Sequence, residues 1–147
     1  MNRKPPDSDD YADEPRRFLA EHSQSSRNAK ARRIGGLTLI RSLRQHEVSL
    51  VAELIALGVD VNVQDERGNT ALHYAAALGA RPSIRLLVNS GRCNYLLRNK
   101  RGRYAYQLAL ISARDPAVAR LLIKKQLQQA VSEGVLHFDR SPPNVAE

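Results

Sequence analysis

Residues 65–91, DERGNTALHYAAALGARPSIRLLVNSG, decide the fold of this chain. Thr70 stands where the N-cap oxygen of a helix is needed, and the residues after it are rich in alanine and leucine. Gly79 and Gly91 stand where two successive helices would end, because glycine readily adopts the left-handed backbone that closes a helix. The stretch therefore predicts a turn, a short helix, a second turn and a longer helix.

The same pattern recurs on both sides of this stretch. Gly35, Gly68 and Gly102 are 33 and 34 residues apart, and Pro82 aligns with Pro116 on that period. Helices with one apolar side cannot bury that side alone, so the repetition predicts a stack of three units. The second helix of each unit shows the one-sided apolar spacing most clearly, at Leu50, Val51, Leu54 and Ile55, at Ile84, Leu87 and Val88, and at Val118, Leu121 and Leu122.

The middle unit closely resembles an ankyrin repeat. The residues before it, GVDVNVQD at 58–65, are similar to the junction between two such repeats. Spacing and residue type agree at many positions, which makes the match far more specific than a single short motif. The framework of the family is matched at Gly68, Thr70, Leu72, His73, Ala75, Ala76 and Gly79.

The two outer units are weaker matches, as the end repeats of a stack often are. Leu37 and Ile40 replace the expected Thr and His in the first unit, and Tyr104, Tyr106 and Gln107 replace Thr, Leu and His in the third. The resemblance covers residues 33–125 and implies an all-α ankyrin-repeat solenoid of helix-turn-helix units with projecting turns or short hairpins. The implied repeats span about 34–64, 65–98 and 99–125.

The ends of the chain differ in composition from its middle. Residues 1–33 mix Pro, Ser, Asp and Arg with few bulky apolar side chains, so we expect a largely disordered arm. After the third repeat, Asp115 supplies an N-cap and Pro116 a favourable first helical residue. The sequence therefore predicts a C-terminal capping helix that reaches about residue 132 and stops near Gly134, followed by a loose tail over residues 133–147.

The formal charge of +8 is unevenly distributed along the chain. Residues 1–80 carry eleven Lys and Arg and eleven Asp and Glu, whereas residues 81–125 carry eleven and one. The basic excess of this segment favours an acidic partner, which can be a protein, a nucleic acid or an anionic lipid surface.

Composition and patterning exclude several classes of protein. The longest stretch without a charged residue, residues 68–80, has thirteen residues, against roughly 20 for a membrane-spanning helix. The acidic residues near the start argue against a targeting segment, and Cys93 has no partner for an internal disulfide. We therefore expect a cytoplasmic protein without membrane insertion.

The candidate catalytic residues do not form a recognisable site. The resemblance implies that His73 hydrogen-bonds its own turn and the next repeat, and no second His, Cys or acid recurs at a spacing that would assemble a catalytic group. Cys93 lies beside Arg92, which would lower the pKa of its thiol, although a lone cysteine is usually incidental. The sequence therefore favours a non-enzymatic protein without cofactor or metal.

A cluster of cations lies at the tip of the turn between the second and third repeats. We call residues 98–103 the basic finger. It is either a solvated turn or a site for carboxylates or phosphates, to which arginine donates bidentate hydrogen bonds. The last helix adds a second basic face at Arg120, Lys124 and Lys125. Tyrosines interleave with the cations of the finger, which suggests base stacking, but the resemblance implies that Tyr104 and Tyr106 face the core.

The resemblance implies a binding module that holds a protein partner with its turn tips and first helices. We expect a monomeric adaptor or inhibitor for a protein with an acidic or mixed surface, and Leu78 and Ile111 would form an apolar centre with a basic rim. The alternative is a nucleic-acid-associated regulator that binds through the basic surface of residues 81–125. The family's partner-facing positions correspond here to Arg33, Arg44, Gln64, Glu66, Arg67, Asn69, Ala77, Leu78, Lys100, Arg101, Arg103, Ile111 and Ser112.

Overall fold

A computed structural model describes residues 29–135 of the chain, and this part is all-helical. Six helices and no strand occur among these residues. The predicted projecting segments are tight turns, and the predicted solenoid is confirmed. The helices are α1 (Ala29–Arg44), α2 (Val48–Ala56), α3 (Ala71–Leu78), α4 (Arg81–Asn89), α5 (Ala105–Ile111) and α6 (Pro116–Ser132).

The helices form two layers. In the inner layer α1 packs against α3 and α3 against α5, and in the outer layer α2 packs against α4. Within each repeat the inner helix also packs against the outer helix that follows it, so α1 contacts α2, α3 contacts α4 and α5 contacts α6. Each unit thus covers the apolar side of its neighbour, which a single helix pair could not do for itself.

The core is aliphatic, as the composition predicts. Leu39, Leu54, Ile84, Leu87 and Leu122 are at most 2% exposed. Small side chains lie between the inner helices, where the alanines at 75, 76 and 109 are fully buried. A methyl group at these positions lets neighbouring helix backbones approach closely.

The helix signals of the middle repeat act as the sequence predicts. The Thr70 side chain accepts a hydrogen bond from the backbone N–H of His73, and Gly79 ends α3 in the left-handed conformation with φ of 64°. At the third repeat, Asp115 caps α6 by accepting from the N–H of Val118, and Pro116 is its first residue. The capping helix ends at Ser132, close to Gly134.

The first repeat departs from its predicted form. α1 begins at Ala29, so it includes the last five residues of the predicted arm, and Gly35 lies within this helix rather than in a turn. Close packing at Gly36 is the physical reason for glycine inside this helix. A Cβ atom at Gly36 would stand 2.2 Å from Cγ2 of Val63 and 2.8 Å from the carbonyl oxygen of Asp60. Glycine lets α1 lie directly against the junction between the first two repeats. Residues 1–28 and 136–147, which hold most of the predicted arm and tail, lie outside the described residues.

Candidate partner-binding site

Two projecting turns are built on the same plan. In the first, residues 65–69, which we call the first finger, Oδ1 of Asp65 accepts hydrogen bonds from the backbone N–H groups of Arg67 and Asn69 at 3.0 and 2.9 Å. In the basic finger, Oδ1 of Asn99 accepts from the N–H groups of Arg101 and Arg103 at 3.0 Å each. An Asp or Asn side chain that binds backbone N–H groups two and four residues later fixes a tight turn.

The two fingers are joined to each other. The backbone N–H of Lys100 donates to the carbonyl oxygen of Arg67 at 3.0 Å, and the side-chain amide of Asn99 donates to Oδ1 of Asn69 at 2.9 Å. The side-chain amide of Gln64 donates to the carbonyl oxygens of Gly68 and Arg98, both at 2.9 Å. The tips are therefore held by hydrogen bonds between repeats as well as within each turn.

His73 connects α3 to the basic finger, as the resemblance implies. Its Nδ1 accepts a hydrogen bond from the backbone N–H of Thr70 at 3.1 Å, and its Nε2–H donates to the carbonyl oxygen of Arg103 at 3.0 Å. The side chain is 1% exposed. Burial lowers the pKa of His73, although the hydrogen bond to Arg103 opposes this effect. The neutral imidazole is the form that fits both hydrogen bonds.

Gln107 makes the equivalent capping hydrogen bond in the third repeat. Its side-chain Oε1 accepts from the backbone N–H of Tyr104 at 2.8 Å, as Nδ1 of His73 does from Thr70. The departure from the family pattern at Gln107 thus preserves the cap at the start of α5.

The first finger and α1 enclose a groove of about 510 Å³ with cations and carboxylates in its walls. Arg33, Arg44 and Glu66 are three predicted partner-facing residues that this groove brings together. Two of them also make internal contacts, because Arg33 donates to the carbonyl oxygen of Gln64 at 3.2 Å and Arg44 lies over the ring of Tyr74, 5.0 Å from its centroid. The groove is therefore partly fixed in shape by its own polar residues.

Asp65 lies at the centre of this arrangement and was not among the predicted site residues. The hydroxyl of Tyr74 donates to its Oδ2. Burial raises the pKa of Asp65, but the hydrogen bonds from Tyr74, Asn69 and Arg67 outweigh burial and lower its pKa overall. The 34-residue spacing between Asp65 and Asn99 is the signal that could have revealed their shared role.

The remaining predicted residues differ in exposure. Leu78 is 46% and Ile111 55% exposed at the C-terminal ends of α3 and α5. Ala77 is half-buried and Ser112 is exposed. In the fingers, Arg67, Lys100 and Arg101 are exposed, whereas Asn69, Gln64 and Arg103 are half-buried.

The tyrosines of the third repeat differ from the expectation that they belong to the core. Tyr104 and Tyr106 are half-buried, and their rings stack with centroids 6.0 Å apart. The guanidinium of Arg98 lies over Tyr104, 5.7 Å from the ring centroid. Tyr106 also packs against the buried core. The two stacked rings therefore cover the edge of the core beside the basic finger.

The expectation of a lowered thiol pKa at Cys93 is wrong. Burial raises the pKa of Cys93 to about 11, and Ser90 and Arg92 oppose this shift only weakly. The thiol donates a hydrogen bond to the carbonyl oxygen of Leu87 at 3.3 Å. Arg92 instead directs its guanidinium to the carbonyl oxygens of Ile55 and Val59. Cys93 is thus a packed side chain rather than a nucleophile.

Residues 29–135 contain neither a metal site nor a membrane-spanning helix. No group of three or more His, Cys, Asp and Glu residues is placed to hold a metal ion in this part of the chain. Over the same residues, no helix combines the length and the apolar character that a membrane span requires.

The chain belongs to the ankyrin-repeat family. A model of ankyrin repeats in three copies matches residues 39–132, which are 94 of the 147 residues. Ankyrin repeats are generally protein-interaction modules and are typically non-catalytic.

Among proteins of known function, the chain is similar to the 2-5A-dependent ribonuclease of Homo sapiens. The two are 35% identical over 75 residues, which are 50% of this chain and 10% of the ribonuclease. The chain thus spans about a tenth of the length of that relative.

Proposed function

We propose that the protein is a non-enzymatic adaptor or inhibitor that binds one protein partner through its inner helices and the basic finger. The observation that carries this proposal is the fixed presentation of charge at the finger. Oδ1 of Asn99 accepts two backbone N–H groups of the turn, and the side chains of Gln64 and His73 donate to its carbonyl oxygens. Lys100 and Arg101 are exposed at its tip. Residues 98–103 include no carboxylate, and the exposure of these cations supports an acceptor on a partner.

Apolar side chains at the C-terminal ends of the inner helices supply the second half of the surface. Leu78 and Ile111 are exposed on neighbouring inner helices that pack against each other. Their burial by a partner would contribute about 25 cal/mol per Å² of apolar area. An apolar centre within a charged rim is the common anatomy of a protein interface.

The groove between α1 and the first finger supports a partner with mixed charge. Arg33 and Arg44 face the same space as Asp65 and Glu66. A purely acidic surface would meet the two carboxylates there, so we infer a partner that places carboxylates at the basic finger and a cation or a hydrogen-bond donor at Glu66.

The test is affinity capture from nuclease-treated native cytosol, with the partner identified by mass spectrometry. The finger variant carries Lys100→Glu, Arg101→Glu and Arg103→Glu, and a second variant carries Leu78→Asp. We expect both to lose a protein that the wild-type chain captures, because charge reversal and loss of apolar burial at a central contact each cost about 2 kcal/mol or more of binding.

The matched control carries the same change in net charge on another part of the surface. Arg32→Glu, Arg120→Glu and Lys124→Glu replace three exposed cations outside the finger, and this variant should capture the partner as the wild type does. Equal melting temperatures of all variants exclude unfolding as a cause. Unchanged capture by the finger and Leu78 variants would refute the proposal.

Nucleic acid is the second candidate partner, because the cations of the finger lie beside a half-buried pair of stacked tyrosines. The human relative is named as a ribonuclease that depends on 2-5A. Because 75 residues of this chain match that relative, contact with nucleic acid is a hypothesis for this chain as well. Binding would fall steeply with salt, by about 0.7 to 0.9 logarithmic units per phosphate contact for each tenfold increase. A capture that disappears after nuclease treatment would favour this candidate.

A further inference from the structure

The outer layer of helices contains a groove that the inner site does not use. α2 packs against α4, but α4 and α6 make few close approaches along their length. A groove of about 410 Å³ lies between them. Their N-terminal ends are tied by Arg81, whose Nε and Nη2 donate to Asp115 at 2.8 and 2.9 Å. The two helices are thus joined at one end and leave a groove along their sides.

The floor of this groove is apolar. Ile84 of α4 and Val118 of α6 line it and are 2% and 6% exposed. Val88 is half-buried, and Leu121 lies in the lining with 39% of its surface exposed. An apolar side chain inserted from outside would therefore meet aliphatic atoms from both helices.

The walls of the groove are cationic. Arg85 extends from α4 and Lys125 from α6, and the complete lining includes no Asp or Glu. Asp115, which directly precedes α6, already accepts two hydrogen bonds from Arg81. The two walls therefore present positive charge on both sides of an apolar floor.

We propose that this groove binds an acidic amphipathic helix of a partner protein. Apolar side chains at positions i, i+3 and i+4 of such a helix would fill the floor, and its flanking Asp and Glu would pair with Arg85 and Lys125. The space between two adjacent helices suits a third helix, whose side-chain ridge packs into it. The binding surface lies on the outer helices, so it goes beyond the function proposed above.

Two other occupants fit the groove less well. A second copy of the chain would bring Arg85 and Lys125 against cations of the same kind, which costs free energy at short range. A flat anionic lipid surface would satisfy the cations but would not reach Ile84, which is 2% exposed at the floor.

The probe is a helical peptide with leucine at positions i, i+3, i+4 and i+7 and glutamate at most of the others, titrated into the full-length chain and followed by amide NMR. We expect the largest shifts at Val88, Leu121 and Lys125. A matched peptide with lysine in place of glutamate should bind at least about tenfold more weakly. Equal binding of the two peptides, or shifts centred on the basic finger, would overturn the proposal.

Two pairs of variants with the same change in net charge locate the site. Arg85→Glu with Lys125→Glu should weaken the acidic peptide at least about tenfold, whereas Arg32→Glu with Arg120→Glu, at two exposed cations outside the groove and the finger, should leave its affinity unchanged. Leu121→Asp tests the apolar contact at a side chain exposed enough to preserve folding, and melting curves verify that all variants are folded. A groove pair that binds the peptide as tightly as wild type refutes this inference and leaves the function proposed for the finger intact.

Discussion

The imidazole of His73 forms hydrogen bonds with two successive repeats. Nδ1 accepts from Thr70 at the start of α3, and Nε2–H donates to the carbonyl oxygen of Arg103 in the next repeat. Nδ1 can accept from Thr70 only in the neutral ring, whereas Nε2–H can donate to Arg103 in either form, and burial disfavours the charged form. Protonation therefore breaks the hydrogen bond from Thr70 at the start of α3, places a charge in the core and favours the unfolded chain.

This linkage predicts a stability that depends on pH below about 6.5. Because the pKa of His73 is lowered in the folded state from 6.5, its contribution is complete above about pH 6.5 and is lost as the pH falls toward the folded-state pKa. His73→Gln should lose about 1 kcal/mol at pH 7.5 and show a flatter dependence between pH 7.5 and 5, measured by urea unfolding. Glutamine keeps the helix cap, as Gln107 does in the third repeat.

The control for this prediction is His46→Asn. His46 is exposed with φ of 61°, a conformation that asparagine tolerates. This variant should retain the full wild-type loss of stability on acidification. A His73→Gln chain that loses as much free energy between pH 7.5 and 5 as wild type would contradict the role assigned to this ring.

Helices that begin with a clear local signal are the ones that the sequence predicts well. α3 and α6 start at Thr70 and Asp115, whose side chains cap them, and both signals can be found without knowledge of the rest of the chain. The extent of α1 was not predicted, because its glycines resemble those of a turn in sequence alone. The reason for Gly36 is Val63, which lies 27 residues further along the chain and becomes a neighbour only after folding.

The same limit explains why the hydrogen-bond partners of some site residues could not be predicted. The resemblance implied that Gln64 and Asn69 are partner-facing, and the structure places both in or next to the first finger. The resemblance did not show that Gln64 binds the carbonyl oxygen of Arg98 or that Asn69 binds Asn99, because these partners belong to the next repeat. Contacts between repeats depend on how the units stack, and the sequence of one unit does not contain that information.

The close approach at Gly36 predicts a cost for adding a single methyl group. Gly36→Ala places a Cβ atom 2.2 Å from Cγ2 of Val63 and 2.8 Å from a backbone oxygen. The higher helix propensity of alanine, worth up to about 1 kcal/mol, opposes an overpacking cost of about 1 to 3 kcal/mol. We expect net destabilisation of about 1 kcal/mol in chemical denaturation.

A second substitution separates crowding from other causes. Because the two nearest atoms belong to the Val63 side chain, Gly36→Ala combined with Val63→Ala should lose less stability than the sum of the two single changes. Strict additivity of the two losses would show that Val63 is not what Gly36 accommodates.

At the scale of the whole molecule, the repeat stack places two candidate binding surfaces on different faces. The inner helices and fingers present Lys100, Arg101 and Leu78, whereas the outer helices present Arg85 and Lys125 beside an apolar groove. If both proposals hold, two faces with different geometry would allow a second partner to be bound beside the one proposed for the finger. Both faces depend on the third repeat, because it supplies the basic finger and one wall of the groove.

The stack itself should depend on α6. Removal of every residue after Arg114 deletes the helix that packs against α5 and takes Val118, Ala119 and Leu122 out of the core cluster. Burial of each large aliphatic side chain contributes about 1.5 to 3 kcal/mol, and a domain of this size is stable by only about 5 to 15 kcal/mol. With two repeats and an uncovered α5, we expect loss of the cooperative melt and a large decrease in helical circular dichroism.

A second truncation isolates the contribution of α6. A chain that ends after Val135 keeps the whole helix and the turn at Gly134, which closes it with φ of 72°, so it should melt like the full-length protein. If the chain ending at Arg114 instead keeps full helicity and a cooperative transition at the same temperature, α6 is not needed to stabilise the stack. The first two repeats would then form a self-sufficient unit, and the last helix would serve to build the outer groove rather than to cap the core.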